Sequence, residues 1–237
     1  MTIFCEWGPA GVALLRETVG LVVIVDVLSF STAVDIATAR GALVHPHRWA
    51  SGPEGLADAE RAAASIGAVP ARPRRMAGDG YSLSPASLAA IPPATRLLLP
   101  SPNGATLTLA CGDTPVMAGC LRNASAVGEA ARAFSGGRDI AVVPAGEQWA
   151  DGSLRPAIED WLGAGAIIGA IGLPCSAEAA VARDAFTAAR ADLAHLVRTC
   201  ASGRELIEAG YGEDVDLALD LDASDGAPLL VDGAYRQ

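Results

Sequence analysis

Runs of hydrophobic residues alternate with longer amphipathic or alanine-rich segments along most of the chain. The strongest run, Leu21-Val-Val-Ile-Val25, is continuous and β-branched, which is typical of a strand buried on both faces. It predicts a strand over 21–27, and the next segment predicts a helix over 32–39 that ends near Gly41. Other runs predict strands over 3–7, 43–45, 96–100, 116–118, 139–143 and 229–231, and helices over 53–66, 106–110, 123–134, 156–171, 177–197 and 203–209.

This alternation predicts the fold class. Strands separated by helices favour a layered α/β/α fold with a mainly parallel or mixed sheet. No linker rich in glycine, proline or serine divides the chain, so we expect one domain over 1–237. A strand-turn-helix theme recurs after Val25, Leu99 and Val143, which also leaves open a domain built from two α/β halves.

Composition excludes several function classes. The chain has 237 residues and 51% hydrophobic positions, enough for a large core without disulfides. Its net charge of -10 repels nucleic acid and anionic membranes, so we expect neither as a partner. Five scattered cysteines without a CxxC pair argue against a zinc site or a disulfide framework. We find no signal peptide or membrane span and therefore expect a cytoplasmic protein.

Polar residues cluster at four junctions where a predicted strand leads into a helix. In open α/β sheets, ligands bind beyond the carboxyl ends of the strands, so residues at these junctions are the candidates for a site. An acid beside the amides of a helix N-terminus suits a metal ion and a phosphate. The candidates are Asp26, Ser31 and Thr32 at the first junction, Asn103 and Gly104 at the second, Arg122 and Asn123 at the third, and Glu147, Glu159 and Asp160 at the fourth.

Each candidate also has a structural interpretation. Asp26 and Asn123 suit helix N-caps, and Glu159 and Asp160 suit the dipole of the helix that they begin. The side chains of Glu159 and Asp160 point about 100° apart, so we do not expect both of them to ligate one metal ion symmetrically. The basic stretch 72–85 is either a solvated loop or an active-site loop that receives an anion.

Taken together, these segments resemble the 2-phosphosulfolactate phosphatase (ComB-like) family over nearly the whole chain. The order and number of the matching motifs carry the resemblance, because no single motif is specific. The motifs are Val22-Val-Ile-Val-Asp-Val-Leu28 through Ser31-Thr32, Tyr81-Ser-Leu-Ser-Pro85, Pro100-Ser-Pro-Asn-Gly-Ala-Thr106, Arg122-Asn-Ala-Ser-Ala126, Val143-Pro-Ala-Gly-Glu147 with Ile158-Glu-Asp160, and Ser202-Gly-Arg-Glu-Leu206 with Gly212-Glu-Asp-Val215.

The resemblance implies a magnesium-dependent phosphatase with a family-specific α/β fold. Its substrate would be a small phosphorylated, sulfonated carboxylic acid, and its products would be phosphate and sulfolactate, on the way to coenzyme M. It implies catalytic roles for Asp26, Glu147 and Asp160, magnesium ligation by Asp26, Glu147, Glu159 and Asp160, and substrate binding by Ser31, Thr32, Asn103, Gly104, Arg122 and Asn123.

The chain departs from the family pattern at two places. Ser29 stands where the first motif commonly carries an arginine, and the Gly-Glu-Arg element usual upstream of the second motif is missing. Arg72, Arg74 or Arg75 are candidates to replace the lost charge. Two alternatives therefore stay open: a phosphatase of the same fold that acts on a different small phospho-acid, and a catalytically inactive anion-binding protein. Attack by water or by Asp26 itself also stays open, and base rates favour a homodimer.

Overall fold

A computed structural model describes all 237 residues. The chain forms eleven strands, nine of which join one mixed sheet. The strands are β1 (Ile3–Cys5), β2 (Leu21–Val25), β3 (Leu43–Arg48), β4 (Val69–Pro70), β5 (Arg96–Ser101), β6 (Val116–Gly119), β7 (Ile140–Pro144), β8 (Glu147–Gln148), β9 (Leu154–Arg155), β10 (Leu229–Val231) and β11 (Ala234–Arg236).

Ten α-helices and four short 3-10 helices connect these strands. None of the helices combines the length and the apolar character that crossing a membrane requires. The α-helices are α1 (Gly8–Leu15), α2 (Phe30–Ala39), α3 (Gly52–Ser65), α4 (Gly104–Ala110), α5 (Ala124–Phe134), α6 (Ile158–Ile171), α7 (Ala177–Ala189), α8 (Leu193–Thr199), α9 (Ala201–Glu208) and α10 (Gly212–Leu219), and the 3-10 helices are Arg74–Met76, Pro85–Leu88, Leu121–Asn123 and Arg190–Asp192.

The large sheet has the order β1-β7-β2-β6-β10-β11-β3-β5-β4. The first four strands pair in parallel, as do β3, β5 and β4. The C-terminal hairpin β10–β11 joins the two parallel groups, because β10 pairs antiparallel with β6 and β11 pairs antiparallel with β3. The predicted layered α/β fold with a mixed sheet is therefore confirmed.

The sheet curves strongly between β2 and β5. Four strands lie between them, so on a flat sheet their ends would be about 24 Å apart. Gly104 follows the end of β5 by three residues, which reach about 11 Å at most. Nevertheless, the Gly104 N–H donates a hydrogen bond to Asp26, the residue directly after β2, at 2.8 Å. Only a curved sheet allows this contact, and the curvature brings the carboxyl ends of distant strands together.

Both faces of the sheet are buried. One core cluster of 27 residues lies between the sheet and α5, α6 and α7, and a second of 26 residues lies on the other face with α2 and α4. All five residues of β2 are buried. Burial on two faces is the reason that β2 is a continuous hydrophobic run rather than an alternating one.

The structure corrects several predicted elements. The helix predicted over 177–197 is wrong, because a 3-10 turn, Arg190–Asp192, separates α7 from α8. The strand predicted over 3–7 ends at Cys5 instead, since Gly8 and Pro9 begin α1. Proline is well tolerated in the first turn of a helix, where its missing N–H needs no partner. The sequence pattern did not predict α1, α10, β11 or the two-residue strands β4, β8 and β9.

We predict that Gly104→Ala destabilises the fold by about 2 kcal/mol, within the range for overpacked positions. A Cβ atom there would lie 2.3 Å from Phe30 Cδ1 and 2.8 Å from Asp26 Oδ2. Urea denaturation measures the free energy of unfolding. The matched control is Gly169→Ala in α6, whose new Cβ would meet only Arg183 Cγ at 3.8 Å. Equal stability of the two variants would contradict the close approach of α4 to Asp26.

Candidate active site

Asp26 joins the N-termini of two helices. Its Oδ1 accepts a hydrogen bond from the Phe30 N–H of α2 at 3.0 Å, and its Oδ2 accepts one from the Gly104 N–H of α4 at 2.8 Å. The side chain is 5% exposed. Helix-start amides were predicted to bind a phosphate, and Gly104 was among the predicted substrate contacts. In the structure the Phe30 and Gly104 amides donate instead to a carboxylate of the protein itself.

Asp160 makes a similar connection between β2 and β7. Its Oδ1 accepts from the Val27 N–H at 2.7 Å, and its Oδ2 accepts from the Gly146 N–H at 2.9 Å. The adjacent Glu159 accepts a hydrogen bond from the Cys200 thiol at 3.2 Å. The two neighbouring acids thus have separate partners, which agrees with the angle between successive helix positions.

Glu147 begins β8, directly after the Gly-containing turn 145–146 that follows β7. Its Oε2 accepts a hydrogen bond from Asn103 Nδ2 at 2.9 Å, whereas its Oε1 has no donor within the protein. Asn103 directly precedes α4. This hydrogen bond connects the turn after β5 to the turn after β7, two junctions that are far apart along the sheet.

A cavity of 220 Å³ opens beside Asp26, Asn103 and Glu147. It lies at the carboxyl ends of β2 and β5, where ligands bind in α/β sheets. Arg74 is the only basic residue in its lining. The twelve lining residues are Asp26, Leu28, Ser29, Arg74, Leu83, Ser101, Pro102, Asn103, Glu147, Ser202, Glu205 and Leu206.

Two other cavities differ from this one in the charged residues that line them. A cavity of 250 Å³ lies on the far side of Asn103 and Glu147 and shares both residues, so their hydrogen bond forms a common wall. A third cavity, of 280 Å³, lies between α6 and α7 and has Arg183, Arg190 and Asp222 as its charged residues. It contains none of the junction carboxylates. The acid-lined cavity of 220 Å³ is therefore the candidate active site.

Buried carboxylates crowd this end of the sheet. Burial raises the pKa of Asp26, although its two main-chain N–H donors oppose the shift. Burial, together with the nearby charge of Asp26, raises the pKa of Glu147 to about 7. Burial also raises the pKa of Asp160 well above its usual value, and the charge of Glu159 adds to this effect. The group carries excess negative charge that a cation would relieve.

The two hydroxyls predicted to contact phosphate are occupied elsewhere. Ser31 Oγ donates to the Ile24 carbonyl at 3.1 Å and accepts from the Asp26 N–H at 3.1 Å. Thr32 Oγ1 donates to the Val27 carbonyl at 2.8 Å. Both side chains are fully buried and neither lines the cavity. They fasten the turn that holds Asp26.

Arg122 and Asn123 lie away from the cavity. The Arg122 guanidinium pairs with buried Asp35 at 3.1 Å and donates to the Leu217 carbonyl at 2.8 Å. Asn123 is fully buried, and its Oδ1 accepts from the Cys120 N–H at 2.8 Å. The third junction therefore supplies a structural ion pair and a helix cap, and the predicted substrate contacts are not brought to the other three junctions.

Several cavity residues were not among the predicted site residues. Arg74 donates from Nη2 to Ser29 Oγ at 2.6 Å, so an arginine reaches the position at which the first motif lacks one. Ser101 is 1% exposed and its hydroxyl has no hydrogen-bond partner. Ser202 and Glu205 come from α9. Their motif was recognised in the sequence, but no local pattern placed it beside the strand ends.

The cavity offers a divalent cation only part of a ligand shell. No group of three Asp, Glu, His or Cys side chains forms a ready metal site. Of the four predicted ligands, Asp26 and Glu147 line the cavity, whereas Glu159 and Asp160 lie behind it. Magnesium commonly uses one or two protein carboxylates and completes its shell with water and substrate phosphate. The donor set fits a magnesium ion held in this way, and it does not fit a cage made only of protein ligands.

Comparison with known proteins gives the family. The model of the 2-phosphosulpholactate phosphatase family matches residues 12–233, which is nearly the whole chain. No curated protein matches the chain. The match extends from α1 to the β10–β11 hairpin and includes every junction described above. The resemblance noted in the sequence is confirmed: the chain belongs to the 2-phosphosulpholactate phosphatase family, and it is a phosphoric monoester hydrolase.

Proposed function

We propose that the protein is a magnesium-dependent phosphatase that hydrolyses 2-phosphosulpholactate to sulpholactate and phosphate in the cavity beside Asp26, Asn103 and Glu147. One observation carries the proposal: the carboxylates of Asp26 and Glu147 and the amide of Asn103 come from three strand-end junctions and meet at a cavity that has a single arginine in its lining. Sulpholactate formed in this reaction would serve coenzyme M synthesis. The family match supports the substrate.

The size of the cavity favours a small substrate. Its volume of 220 Å³ is below the range of roughly 300–1,000 Å³ that is typical of sites for drug-sized ligands. The protein carries a net charge of -10, so a substrate with several negative charges needs local compensation. Arg74 and a cation beside the carboxylates would supply this compensation.

The carboxylates of Asp26 and Glu147 would hold the ion. When bound, magnesium supplies the positive charge that neutralises the phosphoryl oxygens as the ester bond breaks. Asn103 orients Glu147 through one amide N–H and keeps the other free for a phosphoryl oxygen. Glu159 and Asp160, buried behind the cavity, add negative potential that favours the cation.

Water is the attacking group in this proposal. Both oxygens of Asp26 accept main-chain hydrogen bonds, which stabilise the carboxylate and lower its tendency to attack phosphorus. The same bonds hold the ends of β2 and β5 together, so a covalent Asp26 intermediate would disturb the fold. Asp26 therefore would help to hold the ion and the strand ends in place, and water would attack phosphorus directly.

A panel of phosphate esters tests the substrate. We expect the highest kcat/KM for 2-phosphosulpholactate, lower values for 2-phospholactate and 2-phosphoglycerate, and the lowest for 4-nitrophenyl phosphate, because each has fewer groups to contact the cavity. Phosphate release measures the rates. Highest activity on an ester without a sulphonate would assign the protein to a different small phospho-acid. Phosphate binding without any turnover would identify it as an inactive anion-binding protein.

Removal of divalent cations tests the cofactor. We expect EDTA to lower kcat by roughly 100-fold, equivalent to about 2.7 kcal/mol of barrier, and added magnesium to restore it. Phosphate release before and after dialysis measures the effect, with added calcium as the control for ion size. Full activity of the dialysed protein in EDTA would exclude a magnesium requirement.

Glu147→Gln tests the carboxylate that is freest to bind an ion. Glutamine keeps an acceptor for Asn103, so we expect an unchanged melting temperature. We also expect the magnesium Kd, measured by calorimetry, to rise and kcat/KM to fall, each roughly 10-fold to 100-fold. The matched control is Glu17→Gln, which removes an exposed carboxylate outside the cavity. Equal magnesium affinity in the two variants would contradict the assignment.

Asp26→Asn is a less selective probe. Asn has one acceptor oxygen, so its NH₂ group would face the N–H of Phe30 or of Gly104. A buried donor without a partner costs about 1–3 kcal/mol. Loss of activity in this variant would therefore combine an effect on the cavity with an effect on stability.

A further inference from the structure

Arg74 reaches into the candidate active site from the basic stretch 72–85. Its Nη2 donates to Ser29 Oγ at 2.6 Å and to the Leu83 carbonyl at 3.4 Å, and its Nε donates to Asp214 Oδ2 at 3.3 Å. No hydrogen bond within the protein uses Nη1. Arg74 is the only arginine or lysine that lines the cavity. It therefore supplies the only positive charge on the walls of this cavity.

The guanidinium is held in place before any ligand binds. Asp214 is 1% exposed, and its Oδ1 also accepts hydrogen bonds from Ser84 Oγ at 2.5 Å and from the Ala86 N–H at 3.2 Å. The ring of Tyr211 lies under the guanidinium, 5.3 Å from Cζ to the ring centroid. A side chain fixed by these contacts loses little conformational freedom on binding an anion.

A purely structural role leaves two features unexplained. Asp214 needs the charge of Arg74 but uses only Nε, and Nη1 has no hydrogen-bond partner within the protein although Arg74 lines the cavity. Ser101, across the same cavity, is 1% exposed and its hydroxyl has no partner. A buried hydroxyl without a partner is costly unless a ligand or a water satisfies it. Both features indicate a bound group with several acceptor oxygens.

We propose that Arg74, with the hydroxyls of Ser29 and Ser101, forms a subsite for the second anionic group of the substrate, a carboxylate or a sulphonate. This assignment rests on the proposed function, in which the phosphoryl group lies at Asp26 and Glu147. An oxyanion at the subsite completes the hydrogen bonds of the guanidinium and of Ser101. Arg74 is thus a specificity residue that distinguishes phosphorylated acids from simple phosphate esters.

The subsite also accounts for the departure at position 29. An arginine there would enter the cavity from the turn after β2, and in this chain the guanidinium arrives from position 74 and rests on the smaller Ser29. The two residues are 45 positions apart. The charge is therefore present in the cavity although the first motif lacks it.

Arg74→Gln tests the subsite. For 2-phosphosulpholactate we expect KM to rise roughly 10-fold to 100-fold, the loss typical of a charge-assisted pair. The ratio of kcat/KM for 2-phosphosulpholactate to that for 4-nitrophenyl phosphate, which has no second anion, should fall by the same factor. A fall that extends to 2-phospholactate assigns the carboxylate to the subsite, and a fall restricted to 2-phosphosulpholactate assigns the sulphonate. An unchanged ratio overturns the subsite.

Two further variants control for folding and charge. Arg74→Gln leaves Asp214 buried without its partner, so Arg74→Gln/Asp214→Asn removes both charges and keeps the test valid where the single variant does not fold. Arg198→Gln is the charge-matched control. Arg198 pairs with Asp216, which lies on the same helix as Asp214, and neither Arg198 nor Asp216 lines the cavity. We expect wild-type KM values for Arg198→Gln. Equal KM changes in the Arg74 and Arg198 variants would overturn the subsite.

Binding measurements separate this inference from the proposed function. If the wild type hydrolyses no ester of the panel, the proposed function fails, and calorimetry with sulpholactate and with inorganic phosphate tests the subsite directly. Loss of sulpholactate binding in Arg74→Gln with unchanged phosphate binding supports the subsite. Equal loss of both ligands, or no sulpholactate binding to the wild type, overturns it.

Discussion

The hydrogen bonds of Asp26 hold the candidate site together. This one carboxylate accepts the first free N–H groups of α2 and α4, and thereby fastens the end of β2 to the end of β5 across a curved sheet. Two helix N-termini pointing at one carboxylate offset part of the cost of burying its charge. Asp160 repeats the arrangement between the turns after β2 and β7. These two acids add to the β2–β7 strand pairing and to the Asn103–Glu147 hydrogen bond, which also hold the three junctions together.

The same arrangement creates the chemistry of the cavity. Acids that hold strand ends together lie close to one another, so their charges add to burial in raising the pKa values of Asp26, Glu147 and Asp160. In the proposed function a cation at the cavity would relieve this repulsion, while the charge of Arg74, in the same lining, is partly matched by Asp214. A substrate with two separated anionic ends would complement such a site, because one end would meet the proposed cation and the other would meet the guanidinium.

The strand ends were predictable because a sheet buried on both faces requires continuous hydrophobic runs, and β2, β5 and β7 have them. The rule that ligands bind at the carboxyl ends of strands then pointed to Asp26, Asn103 and Glu147, which the fold brings together at one cavity. The same rule pointed to Arg122, but buried Asp35 takes its guanidinium. A strand-end junction therefore predicts where a residue lies along the sheet, but it does not predict which neighbouring group the side chain of that residue contacts.

The sequence by itself determined the alternation of strands and helices, the family, and the presence of carboxylates at strand ends, since each of these depends on local pattern or on motif order. Only the tertiary structure decided what each polar atom contacts. In the structure both oxygens of Asp160 accept hydrogen bonds from backbone amides, whereas one oxygen of Glu147 has no donor within the protein. The Arg74 guanidinium donates a hydrogen bond to Ser29. These contacts join different segments of the chain, and the Asp26–Gly104 contact also needs the curvature of the sheet, so no local pattern of residues encodes them.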